Sequence, residues 1–245
     1  MTTDNIMSEI YLSVVIPAYN EEKRIAVTLR DVADYLGKQN FKSEIILMDD
    51  GSSDQTVKVA RDLNIPILRV VDNPENHGKG YVVRQGMLEA SGAYRLFMDA
   101  DNSTRISEME KFWPFLKEGF DVAIGSIELA GSTIKEGAAW YRRGLGRMAK
   151  IIIRLILIWE IHDTQRGFKC FTAASAAKVF PKQTIERWGF DMEILQIAKK
   201  QGFKIKELPV VWENPAGSKV TLAAYVSTFR ELLKIKWNSI SGKYK

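Results

Sequence analysis

Asp99 and Asp101 stand two residues apart behind the apolar run Tyr94-Arg-Leu-Phe-Met98. In an extended chain residues i and i+2 face the same way, so both carboxylates can converge on one hard cation, Mg²⁺ or Mn²⁺, while Ala100 turns away. The same residues also read as a strand-ending turn, with Asp101-Asn-Ser capping a helix that begins near Ser107. A second acidic group, Asp49-Asp-Gly-Ser-Ser-Asp54, follows another apolar run. A carboxylate there can accept from a base N–H or a ribose hydroxyl, and Ser53 or Asp54 can cap the next helix, a task that does not require Asp50. In Asn76-His-Gly-Lys-Gly80 two glycines let backbone approach a ligand, and Lys79 is either a point charge for phosphate or a solvated loop lysine. The GxxxxGK[ST] spacing of a P-loop is absent.

These groups need a scaffold that brings them together, and the apolar pattern supplies one. Leu12–Pro17, Glu44–Asp49, Ile67–Val71 and Tyr94–Met98 read as buried strands. Between them lie helical periodicities: Ile25 to Leu36 with Gly37 as C-cap, Asp54 to Leu63, and Gly80 to Ser91. Strand, loop and helix in repetition predict an α/β protein with a mostly parallel central sheet flanked by helices. Ligands of such sheets bind at the carboxyl ends of the strands, so the loops at 17–22, 49–54 and 99–103 should share one crevice. Beyond residue 120 we expect a strand at Val122–Ser126, a loop to Gly137, a long amphipathic segment from Ala138 to Ile161 and a strand at Gly167–Phe171. A helix from Phe190 to Gln201, a strand at Ile205–Trp212 and a basic helix from Thr221 to about Ser239 follow. The organisation predicted is a single domain over 1–245, with a nucleotide-binding half at about 11–126, an acceptor-binding half at about 127–220 and the basic amphipathic helix at about 221–240.

Composition excludes several classes. With 46% hydrophobic and 27% charged residues and only 7 prolines, the 245-residue chain is globular rather than disordered or fibrous. One cysteine, Cys170, and two histidines, His77 and His162, provide neither an internal disulfide nor a zinc cluster. Residues 1–9 lack the basic and apolar regions of a secretory signal, which predicts a reducing, cytoplasmic setting. The apolar stretch at 151–159 is interrupted by Arg154 and too short to span a bilayer. The net charge of +5 suits a polyanionic partner. Nucleic acid is not expected, because the cations are dispersed among acids rather than gathered into a stripe. A nucleotidyltransferase would need a Gly-rich, basic activation motif near the first strand, where Pro17-Ala-Tyr-Asn-Glu-Glu22 stands instead.

Pro17-Ala-Tyr-Asn-Glu-Glu22, Asp49-Asp-Gly-Ser-Ser-Asp54, Asn76-His-Gly-Lys-Gly80 and Asp99-Ala-Asp101, in this order and spacing, resemble the inverting family 2 glycosyltransferases with a Rossmann-like GT-A fold. Asp163-Thr-Gln-Arg-Gly-Phe-Lys169, Arg187-Trp-Gly-Phe-Asp-Met-Glu-Ile-Leu195 and Val211-Trp-Glu-Asn-Pro-Ala-Gly-Ser-Lys219 are similar to the dolichyl-phosphate β-glucosyltransferase branch. The likeness spans roughly 11 to 235. It implies that Pro17, Tyr19, Glu21, Asp50, Ser52 and Lys79 surround the nucleotide, and that Asp99, Ala100 and Asp101 form the DxD that holds a metal on the diphosphate. Where many relatives carry Gln as a third ligand, this chain has Ser103. Where relatives often read Gly-Ser-Arg after the fifth strand, Gly125-Ser126 is followed by Ile127. The acceptor-side charge is then expected from Arg142, Arg143, Arg166 and Lys169, with Asp99, Asp101, Arg143, Asp163 and Arg166 as the catalytic group.

The expected reaction moves a hexose, glucose from UDP-glucose or mannose from GDP-mannose, to a polyprenyl or dolichyl phosphate. A lipid phosphate is already an anionic nucleophile at neutral pH. A sugar hydroxyl acceptor would need a base, Asp163 or Asp191, but the Gln-x-x-Arg-Trp signature of hydroxyl-transferring branches is not present at Ile185-Glu-Arg-Trp188. A silent sugar-nucleotide binder is the non-enzyme reading. Trp188 and Trp212 are core residues or sugar platforms. A lipid acceptor predicts a peripheral protein on the cytoplasmic face of a membrane, resting on residues 149–159 and on a terminal helix with Arg230, Lys234 and Lys236 beside Leu232, Leu233, Ile235 and Trp237. Packing or dimer helices are the alternative.

Overall fold

A computed structural model of the chain describes residues 10–135, 151–213 and 222–245. Its centre is a seven-stranded sheet of order β3-β2-β1-β4-β7-β5-β8. The first four strands are β1 (Leu12–Ala18), β2 (Ser43–Asp49), β3 (Leu68–Asp72) and β4 (Tyr94–Met98), all parallel. The helices α1 (Ile25–Leu36), α2 (Thr56–Asp62) and α3 (Lys79–Glu89) connect them in turn. After a 3₁₀ turn at Ile106–Lys111 and the short α4 (Trp113–Lys117), β5 (Val122–Ser126) and β6 (Thr133–Lys135) follow. Residues 151–156 are helical and are labelled α5. Then come β7 (Phe168–Thr172), α6 (Ala173–Val179), a 3₁₀ turn at Phe180–Lys182, α7 (Phe190–Lys200), β8 (Ile205–Pro209), β9 (Val211–Glu213) and α8 (Leu222–Ile240).

Strand alternation divides the core into two layers. Val14, Ile16, Ile45, Leu47, Leu96, Met98 and Cys170 face α1, α2 and the 106–117 turns. Their neighbours Val15, Ile46, Met48, Phe97 and Phe171 face α3, α5, α6, α7 and α8. Because both faces are covered, the strands read as continuous apolar runs, with β1 and the last five residues of β2 wholly buried. At roughly 1.5–3 kcal/mol for each fully buried large side chain, these two layers are the main stabilising term.

The structure departs from expectation where the pattern carries no direction or length. The sheet is mostly parallel as expected, but which strand breaks the pattern was not readable: β7 runs antiparallel between β4 and β5. The single strand expected at 205–212 is two: β8 pairs with β5, and after Val210 the chain moves to a second sheet, where β9 pairs with β6. Helix α2 starts at Thr56 rather than Asp54, because the Asp54 carboxylate accepts the Thr56 N–H at 2.9 Å from outside the helix. Gly37 ends α1 in a right-handed conformation (φ −65°), so the left-handed cap is not used. The 138–161 segment lies partly outside the described residues, and its described helix ends at 156.

Candidate active site

The ends of β1, β2 and β4 converge as expected, and side chain to backbone hydrogen bonds fasten their loops. Asn20, held at φ 53°, takes the Ser53 N–H at 2.9 Å through its side-chain oxygen, and its own N–H donates to Ser52 Oγ at 2.9 Å. Ser52 in turn donates its N–H and hydroxyl to the buried Asp49 carboxylate. The Glu21 N–H reaches Thr56 Oγ1 at 2.7 Å. Glu21 itself pairs with Arg24. Pro17 is buried at the strand end, while the Tyr19 ring is 43% exposed beside it, the one large apolar surface these two loops present.

Asp50 is fastened to the next loop. Its carboxylate accepts the His77 N–H at 2.8 Å, the Gly78 N–H at 3.0 Å and the Asn76 side-chain amide at 3.0 Å. Burial pushes Asp50 above the usual carboxylate range, and the N–H donors of His77 and Gly78 oppose this. With both oxygens engaged, Asp50 holds the 76–78 loop rather than facing a base directly. That loop delivers Lys79 to Asp99, with Nζ to Oδ1 at 2.5 Å. Burial pulls the Lys79 ammonium down, but the carboxylates of Asp99, Asp191 and Asp101 outweigh it and hold the pKa above its ordinary value. The Trp188 ring, 47% exposed, sits 5.8 Å from the same Nζ. It is therefore a wall of the crevice, not core.

Asp99 also meets the second half of the chain. Its N–H donates to Gly167 O at 3.0 Å, and a Cβ on Gly167 would overlap the Asp99 carboxylate, which would have to swing away from its present place. Asp101 accepts the Ser103 N–H at 3.0 Å; burial and then the Asp99 charge push its pKa up. Ser103 is buried and its carbonyl takes the Glu213 N–H at 2.8 Å. The 3₁₀ turn at Ile106 has no side-chain cap, so the Asp101–Ser103 contact closes the loop instead of starting a helix. Thr28 of α1 fixes Ala100 by donating to its carbonyl at 2.6 Å.

A metal fits this donor set. Two neighbouring carboxylates are hard oxygen ligands, and Mg²⁺ commonly takes one or two carboxylates with phosphate and water completing its shell. Among the described residues no group of three or more His, Cys, Asp or Glu is arranged to hold a metal.

On the acceptor side the structure separates the candidates. Arg142 and Arg143 lie outside the described residues. Lys169 does not reach an acceptor: it is wholly buried under the Phe97 ring, bonded to Asp191 and to the Arg166 carbonyl. Burial holds Lys169 below and Asp191 above its ordinary pKa. Asp163 is fully buried too; its Oδ2 accepts from Arg166 Nε at 3.1 Å and the Ile127 N–H at 3.3 Å. A carboxylate so engaged orients Arg166 and is not placed to take a proton. Arg166 stacks on Trp212 with 4.8 Å between guanidinium and ring, and is the described cation nearest the expected role. Sequence reasoning missed Glu207, which accepts the Asp163 and His162 N–H groups at 2.7 and 2.9 Å. Its signal was a carboxylate in the middle of a short strand, between Lys206 and the buried Leu208.

The family model described as glycosyl transferase family 2 matches residues 13–180. Dolichyl-phosphate beta-glucosyltransferases are similar along nearly the whole chain: that of Saccharomyces cerevisiae is 35% identical over 267 residues, 97% of this chain and 77% of the relative. The Homo sapiens protein of that name is 34% identical over 254 residues, 96% of this chain and 77% of the relative. Among solved structures, glucosyl-3-phosphoglycerate synthase from Mycobacterium tuberculosis, in complex with Mn²⁺, uridine diphosphate and phosphoglyceric acid, superposes with TM-score 0.68 at 19% identity, covering 93% of this chain and 78% of that one. Mannosyl-3-phosphoglycerate synthase from Rubrobacter xylanophilus gives 0.70 at 13% identity, covering 96% and 75%. These likenesses show the fold, and the sequence matches show the rest: the chain is a GT-A glycosyltransferase that belongs to glycosyl transferase family 2.

Proposed function

We propose that the protein transfers glucose from UDP-glucose to a dolichyl or polyprenyl phosphate on the cytoplasmic face of a membrane, using Mg²⁺ or Mn²⁺. The observation that carries this reading is the Lys79–Asp99 pair at 2.5 Å, walled by Trp188 and backed by Gly167, in a chain similar over its length to dolichyl-phosphate beta-glucosyltransferases. Uridine diphosphate and Mn²⁺ in the glucosyl-3-phosphoglycerate synthase complex support the donor and the metal. GDP-mannose with the same acceptor is the alternative donor.

In this reading a lipid phosphate oxygen attacks the anomeric carbon from the face opposite the nucleotide. The bond from that carbon to the diphosphate breaks, its electron pair leaves with UDP, and the sugar inverts. Asp99 and Asp101 would hold the metal, which supplies positive charge to the leaving diphosphate. Lys79, held beside Asp99, is a cation already in place for the charge that develops on that diphosphate. Tyr19 offers its ring to the base, with Pro17, Glu21 and Ser52 fixing its loop and Asp50 fixing the loop of Lys79. Arg166, oriented by Asp163 and Trp212, meets the acceptor phosphate together with Arg142 and Arg143. No base is needed, since the acceptor is ionised before it binds.

The test is transfer of labelled sugar into organic-extractable dolichyl phosphate, with UDP-glucose and GDP-mannose compared, and with divalent metal or EDTA. Glucose transfer that EDTA abolishes supports the reading. Transfer from GDP-mannose alone replaces the donor, and absence of product from either donor overturns it.

A further inference from the structure

We infer that one face of the molecule, built by α5 and α8, docks on an anionic lipid bilayer. Phe229, Leu233, Trp237 and Ile240 are 48 to 71% exposed, large surfaces for apolar side chains. At about 100° per residue they fall within an arc of about 80° on α8. Leu232, Ile235, Asn238 and Ser239 are the buried residues of that helix, within an arc of about 120° on nearly the opposite side. The helix therefore has an inner face that packs on the core and an apolar outer face that is about half or more exposed. This corrects the sequence expectation, which placed Leu232 and Ile235 at the interface.

The second piece is α5 and the turn after it. Ile151, Leu155 and Trp159 are 54 to 66% exposed, and the first two are one helical turn apart. Lys236 joins the pieces by donating to the Ile156 carbonyl at 2.8 Å, where α5 ends. No helix among the described residues is long and apolar enough to cross a membrane.

Charge selects the occupant. Arg230 and Lys234 stand on one shoulder of the exposed arc and Lys236 on the other, an apolar stripe that contains Trp237 and is edged by cations. That pattern matches an anionic headgroup layer. A second copy of the chain, docked face to face, would set cation against cation. The face is also tied to the crevice: Glu231, on the inner side of α8, accepts the Gly189 N–H at 2.8 Å, and Gly189 follows Trp188. The proposal rests on the lipid-phosphate reading above and gives it a geometry, since a helix on the bilayer would hold the crevice within reach of an acceptor anchored there.

The experiment is co-flotation of the full chain with vesicles of phosphatidylcholine alone, or of phosphatidylcholine with phosphatidylserine as the minor component. Wild type should float with the anionic vesicles. Leu233→Glu/Trp237→Glu should lower the bound fraction at least about tenfold. Arg230→Ser/Lys234→Ser, which touches no core contact, should remove the preference for phosphatidylserine. Circular dichroism and transfer to a short, water-soluble prenyl phosphate should be unchanged in both variants. Wild type that fails to float, or a Glu variant that floats as well as wild type, overturns the docking face, as does a loss of dimer in sedimentation with no change in flotation. Flotation without transfer to any prenyl phosphate leaves the face standing and sinks the functional reading, so the two failures are distinguishable.

Discussion

Asp101 is the residue whose environment most clearly serves a ligand rather than the fold. Burial and the neighbouring Asp99 charge raise its pKa, so the folded chain resists ionising it. The sign follows: a carboxyl with a raised folded pKa favours the folded state below its unfolded value of about 3.9 and loses that contribution as pH rises. At neutral pH the charge is a cost in the metal-free protein. Asp101→Asn, which keeps an acceptor for the Ser103 N–H, should therefore stabilise the metal-free chain by about 1 kcal/mol at neutral pH and by nothing below pH of about 3.5, while metal-dependent transfer is lost. Thermal unfolding in EDTA at the two pH values, beside a transfer assay, checks both halves. The DxD pair and Lys79 were legible as residue types at a spacing. The buried pairing of Lys169 with Asp191 was not, because a lysine within a strand reads the same whether it faces solvent or the core.

The elements were legible where burial on both sides made the sequence uniform. Helix α1 and strands β4 and β5 fall where periodicity put them. The helix expected to begin near Ser107 is instead a 3₁₀ turn at Ile106–Lys111 followed by the short α4, a break that a few residues without a period do not show, and β7's direction was invisible because apolar runs have none. Contact between elements distant in sequence was also hidden, and Gly80 shows what it requires. A Cβ there would stand 2.6 Å from the Ile185 carbonyl oxygen and 2.8 Å from Phe190 Cβ, so the start of α3 lies directly against the segment that leads into α7. Gly80→Ala has to push that segment away. We expect a loss of about 1–3 kcal/mol in denaturant unfolding with an unchanged slope. Weaker UDP binding should accompany it, because Lys79 and Trp188 flank the displaced contact. Unfolding at the wild-type midpoint would refute the contact.

At the scale of the molecule, the last residues close the layer that carries α7 and α8. Tyr244 is fully buried; its hydroxyl donates to Glu193 Oε1 at 2.7 Å and accepts from the Asn238 amide at 3.2 Å. Glu193, also buried, accepts the Thr184 and Ile185 N–H groups at 2.8 and 2.7 Å, so one carboxylate fastens α7, the chain end and the segment over Gly80. A tyrosine in that position cannot ionise without placing a second negative charge beside the first, and burial with the Glu193 charge drives its pKa far up. Its contribution is complete below the unfolded value of about 10 and falls as pH rises above it, by about 1.4 kcal/mol per pH unit. Tyr244→Phe leaves Glu193 one donor short and should cost about 1–3 kcal/mol at neutral pH. The difference between wild type and variant should then narrow above pH of about 10, because only wild type pays for the buried phenol. Urea unfolding of both chains across that range is the measurement, and parallel curves at alkaline pH would show that Tyr244 does not clasp the fold.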